Sequence, residues 1–108
     1  MKRGEVWWVD FDTAQNGEIQ KRRPAVIISN YASNTTLNRV QIVPLTSNTS
    51  KVYPCEAIIT LNDYQRKAMA DQITTCAKER MREKIGSITI SDIKAIEKAV
   101  KTQLGLRI

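Results

Sequence analysis

The chain has 108 residues, 42% hydrophobic and 26% charged, which fits one domain over residues 1–108 and is a globular composition rather than a disordered or membrane one. No apolar run approaches the about 18 residues that a membrane helix needs. The N-terminal segment turns acidic at Asp10 before any stretch of signal-peptide length, so a cytoplasmic chain is expected. Seventeen Lys and Arg against 11 Asp and Glu leave a net charge of +6, a surplus that attracts polyanions, nucleic acid foremost.

Histidine is absent. That removes the His-pair acid–base scheme of many ribonucleases, argues against a zinc site and denies a Cys nucleophile its usual base. Cys55 and Cys76 lie far apart in sequence and are expected as two free thiols. No metal and no cofactor are expected.

From the N-terminus, Glu5–Phe11 is rich in aromatic and β-branched residues and alternates, with Val6, Trp8 and Asp10 sharing a face. One of Trp7 and Trp8 must then face the core, and a structural role is expected for the pair. Pro24 to Ser29 is expected as a second strand opened by its proline. Val40 to Leu45 is a third, breaking into the polar loop Thr46-Ser47-Asn48-Thr49-Ser50-Lys51. Cys55 to Leu61 and Ala68 to Thr74 complete about five short strands. Asp71 and Gln72 within the last of these would be buried and in need of hydrogen-bond partners.

The period then changes. Residues 78–84 could form a short helical turn, although Glu79–Glu83 and Lys78–Arg82 would repel at i,i+4. Ser91 is expected to cap a helix from Asp92 to about Leu104, with Ile93, Ile96, Val100 and Leu104 on one face and Ala99 beside it. Asp92 suits the positive end of the helix dipole, and Gly105 stands where a C-terminal cap belongs. Strands followed by a terminal helix give an α+β, mainly β, fold: a small curled barrel of about five to seven strands. The helix's apolar stripe would cover the barrel or a partner subunit.

Three segments could carry chemistry. Lys21-Arg22-Arg23-Pro24 is either a solvated basic turn or a phosphate-collecting cluster in which Pro24 stiffens the backbone beside Arg23. Pro44-Leu45-Thr46-Ser47-Asn48 is either a polar connection or a donor, Thr46, presented at the end of a rigid strand. Ala70-Asp71-Gln72-Ile73-Thr74-Thr75 holds polar groups that would meet backbone or a base edge.

Together with the opening Lys-Arg-Gly-Glu-Val-Trp-Trp-Val-Asp-Phe and Lys78-Glu79-Arg80, these segments resemble the MazF/PemK family of toxin endoribonucleases, in order and spacing over nearly the whole chain. The resemblance implies an SH3-like (CcdB/PemK-like) barrel, usually a homodimer. It further implies a metal-independent, sequence-specific cut of single-stranded RNA, giving 2′,3′-cyclic phosphate and 5′-hydroxyl ends. An acidic cognate antitoxin would occupy the RNA groove, with DNA met only through that antitoxin. By the same resemblance Arg23 and Thr46 are the catalytic pair. Glu18, Lys21, Arg22, Ser47, Asn48 and Gln72 are candidate substrate contacts, with Tyr53 a further reader or a plain surface residue. The chain departs from many relatives in having Thr74 where they carry arginine, which bears on the recognition sequence. Alternatives are a non-catalytic gyrase-poisoning toxin of the same fold and an SH3-like nucleic-acid-binding module.

Overall fold

The computed structural model describes residues 1–11 and 21–107. Its strands are β1 (Glu5–Phe11), β2 (Lys21–Ile27), β3 (Arg39–Thr46), β4 (Glu56–Leu61), β5 (Tyr64–Met69), β6 (Thr74–Ala77) and β7 (Met81–Ser87). A short helix α1 (Tyr31–Thr36) joins β2 to β3, and α2 (Ile90–Leu104) follows β7. All pairings are antiparallel, in the order β4-β5-β3-β2-β1-β7, with β6 also on β3. The outer strands β4 and β7 are not paired to each other, so the sheet curls without closing. The mainly β architecture with a C-terminal helix is the one expected.

Strand β3 organises this curl. Its residues Ile42, Val43 and Pro44 pair with β2, and Arg39 to Ile42 pair with β6. At Leu45 it leaves β2 and pairs with β5 instead, Leu45 opposite Ala68 and Thr46 opposite Lys67. Strand alternation then splits the core in two. Val6, Val26, Val43 and Leu45 face a cluster completed by Ile59 of β4 and by Ile96 and Ala99 of α2. Val9, Ala25, Ile27, Val40 and Ile42 face the other, against Cys76 and Met81, with Trp7 packed at its margin.

Several expectations are corrected. Strand β2 begins at Lys21, so Pro24 lies inside it, tolerated because there β2 pairs only with β1 and the ladder to β3 starts at Ala25. The apolar run from Ala68 is not one strand. A 3₁₀ turn over Ala70–Gln72 carries the chain from one end of β3 to the other, burying Ala70 and exposing Asp71 and Gln72. Residues 78–84 form a 3₁₀ turn, Lys78–Arg80, and then β7. In that strand Lys84 meets Glu5 at 3.2 Å and Arg82 meets Asp10 across the sheet, replacing helical repulsion with opposite-charge pairs. Helix α2 starts at Ile90, capped by the Thr89 hydroxyl accepting from Asp92 N at 3.1 Å, not by Ser91. It ends at Gly105 in the left-handed conformation (φ 67°), and Leu104 is exposed rather than packed.

Candidate active site

Arg23 and Thr46 reach one place from two strands. The β2–β3 register matches Ala25 with Pro44 and Ile27 with Ile42. Continued by one alternation, it sets Arg23 against Thr46 on the same face, and β3 bends away just there. Both line a shallow cavity of about 280 Å³ with Ser47, Trp8, Pro24, Leu45 and Arg66. The Thr46 hydroxyl oxygen accepts from Asn48 N at 3.3 Å, a local turn that leaves the hydroxyl hydrogen available to donate outward.

The charge pattern around this cavity is selective. Arg3, Arg22, Arg82, Lys67 and Lys84 each sit on a carboxylate: Glu97, Asp10, Asp10, Glu56 and Glu5. Among the described residues neither Arg23 nor Arg66 has such a partner. Two cations without counter-charge on one small cavity, beside a hydroxyl donor, suit a phosphodiester.

Behind the cavity, Lys67 and Glu56 form a pair at 3.3 Å with side chains only 10% and 11% exposed. Lys67 Nζ also donates to Lys51 O at 2.8 Å, and Tyr53 N donates to the Glu56 carboxylate at 2.9 Å. These bonds tie down the loop between β3 and β4, which carries Ser47 and Asn48. Within it, Asn48 Oδ1 accepts from Ser50 N and Ser50 Oγ, so the loop has its own internal scaffold.

The other expected contacts divide. Arg22 projects from the opposite face of β2 to Arg23, and its Nε donates to Asp10 at 2.9 Å. Hydrogen bonds from Arg82 and then Arg22 hold the Asp10 carboxyl below its ordinary value. Asp10 borders a second cavity of about 490 Å³, shared with Phe11, Thr74, Thr75, Cys76 and Arg80. Burial pushes the Cys76 thiol up, with Arg80 opposing, and both cysteines are free. Gln72 is exposed on its 3₁₀ turn and donates to Met69 Sδ at 3.5 Å, while Lys21 opens β2 opposite Phe11. Tyr53 is 53% exposed with Lys51 over its ring. Glu18 lies outside the described residues.

Two cavity residues were not expected. Trp8 is 38% exposed at the cavity, while Trp7 packs inward and its indole N–H donates to Glu5 at 3.0 Å. Arg66 comes from a polar strand with no apolar alternation to mark it. Among the described residues no three or more His, Cys, Asp or Glu side chains converge as a metal site would require, and no helix is long and apolar enough to cross a membrane.

Residues 2–104 match the family model described as PemK-like, MazF-like toxin of type II toxin–antitoxin system. The chain belongs to that family. It is 36% identical over 115 residues to Endoribonuclease MazF9 of Mycobacterium tuberculosis, covering 98% of both chains. It is 30% identical over 103 residues to Endoribonuclease toxin MazF of Escherichia coli K12, covering 94% of this chain and 92% of that one. Among solved structures, an endoribonuclease in complex with its cognate antitoxin from a mycobacterial species superposes with a TM-score of 0.85 at 28% identity. It covers 100% of this chain and 98% of that one. The MazF-like architecture therefore extends over the open, curled sheet and α2 alike.

Proposed function

We propose that this MazF-like toxin is an endoribonuclease that cuts single-stranded RNA at short sequences, using the substrate's 2′-hydroxyl as nucleophile and no metal. The endoribonuclease activity is supported by the names of the relatives that match nearly end to end. The observation that carries the chemistry is the meeting of Arg23 and Thr46 on one cavity, with Arg23 lacking a carboxylate partner among the described residues. The proposal treats residues 1–108 as one toxin domain working in the cytoplasm, as a homodimer blocked by an acidic antitoxin.

In the proposed reaction the 2′-oxygen attacks the adjacent phosphorus and the bond from phosphorus to the 5′-oxygen breaks. The products are a 2′,3′-cyclic phosphate and a 5′-hydroxyl, so the 2′-oxygen loses a proton and the 5′-oxygen gains one. A guanidinium is a poor base. The part of Arg23 is therefore to hold charge growing on the phosphoryl oxygens and to hydrogen-bond the reacting oxygen. Thr46 donates to the leaving side. Preorganised donors of this kind each contribute about 10²-fold or more in rate.

Arg23→Ala and Thr46→Ala, each assayed on mixed single-stranded RNA, test the reading. Each variant should lose at least about 10²-fold in rate, with the cut ends of the wild-type products blocked to ligation by the cyclic phosphate. Undiminished cutting by both variants would refute the assignment. A wild-type protein that leaves RNA intact and inhibits gyrase would refute the activity itself.

A further inference from the structure

Arg66 lines the same cavity as Arg23 and Thr46. Among the described residues it is the cavity's other cation without a carboxylate, and it arrives from β5, a strand that contributes neither Arg23 nor Thr46. Two contacts fix its guanidinium. Its carbon lies 5.5 Å from the centre of the Tyr64 ring, and Nη1 donates to Gln65 O at 2.9 Å. Tyr64 follows the two-residue turn Asn62-Asp63, both at positive φ (49° and 69°), so the hairpin that bears the pair is short and defined. A stacked guanidinium with one N–H bound to a carbonyl keeps donors in hand, and its planar fork suits phosphate oxygens.

We infer that Arg66, braced on Tyr64, binds a backbone phosphate next to the one being cleaved, and thereby sets where the strand lies in the Arg23–Thr46 cavity. The inference rests on the ribonuclease reading above. It makes Arg66 a substrate-binding residue, with Tyr64 as its positioning residue. Since the contact is remote from the reacting bond, it acts on KM more than on kcat.

The test uses the full chain and a single-stranded RNA oligonucleotide chosen by mapping ends cut from a randomised pool. Each linkage flanking the cut is replaced in turn by a neutral methylphosphonate. Arg66→Gln should lower kcat/KM about 10-fold, mainly through KM, and flatten the log–log salt slope by about 0.7, the share of one phosphate on a single strand. One methylphosphonate position should hurt the wild type about as much and leave the Arg66→Gln variant unaffected. Arg66→Lys should restore the salt slope, and Tyr64→Ala should give a smaller loss of the same kind.

Wild-type kinetics in Arg66→Gln, or losses that simply add at every linkage, would overturn the inference. Either result would leave the ribonuclease reading in place as long as Arg23→Ala is inactive. Failure of the wild type to cut any RNA in the pool would bring down both.

Discussion

Gly4 shows how one residue's lack of a side chain holds the end of the sheet to the helix. Its φ is +91°, and a Cβ there would sit 2.7 Å from Ile93 Cδ1. Its N–H donates to Ile27 O at 2.7 Å and its carbonyl accepts from Ile88 N at 3.0 Å, so it joins β2 to the connection entering α2. Gly4→Ala would meet strain and overlap at once, and should cost about 2 kcal/mol of stability, read as a lower urea midpoint with an unchanged slope. Two carboxylates act at the same scale. Burial alone would raise the Glu5 carboxyl, but Trp7, the Lys2 backbone and Lys84 together hold it below its ordinary value. Asp10 is lowered by Arg82 and Arg22. Depressed carboxylates add stability above the ordinary range and lose it as pH falls through their folded values. Stability should therefore hold through neutrality and fall away below about pH 4, as followed by thermal melts across pH. In Asp10→Asn that acid-side fall should be shallower and the neutral melting temperature lower.

At the level of elements, the connection from β3 to β4 depends on the buried pair Lys67–Glu56. Exposed pairs contribute little, but removing one member of a buried pair strands the other's charge. Lys67→Met should destabilise by about 3 kcal/mol, and adding Glu56→Gln should recover part of that loss, a coupling that denaturant melts of all four proteins would reveal. Additive losses would mean that the pair does not hold the loop. The same region shows what sequence reading reached. The alternation of β4 is plain because it has one face buried, whereas β1 and β3 feed both core clusters and are legible instead as β-branched, apolar runs. Gly105 marked the end of α2 because its left-handed backbone favours glycine. Strand β5 was only half seen, since Tyr64-Gln65-Arg66-Lys67 is polar and only the turn-prone Asn62-Asp63 announces the hairpin. Helix α1 has one buried residue, Asn34, and no apolar stripe; its signal was the cap Asn30, whose side chain accepts from Ser33 N at 2.8 Å. Arg23 and Thr46 were found through family resemblance rather than through periodicity. Arg66 carried no local mark, because it belongs to the cavity only once β5 has paired with β3.

Across the whole molecule, the +6 charge sets how partners arrive. An acidic antitoxin peptide and single-stranded RNA should compete, and raising salt should weaken the peptide through screening and the RNA through reduced counterion release. Fluorescence anisotropy of a labelled acidic peptide, titrated at several salt concentrations with and without RNA, checks this. Salt-independent binding that leaves RNA cutting intact would exclude occlusion of the groove.

Strand β3 belongs to both halves of the sheet, and that has a consequence in time. Thr46 is fixed by β5, which is made about 20 residues later, and the first part of β3 needs β6, later still. Contacts between distant segments form late. A chain still emerging from the ribosome, with β1 to β4 complete, would own both Arg23 and Thr46 yet have no finished cavity. The finished cavity therefore follows the pairing of Thr46 with Lys67, and only a chain complete through β5 can make that contact.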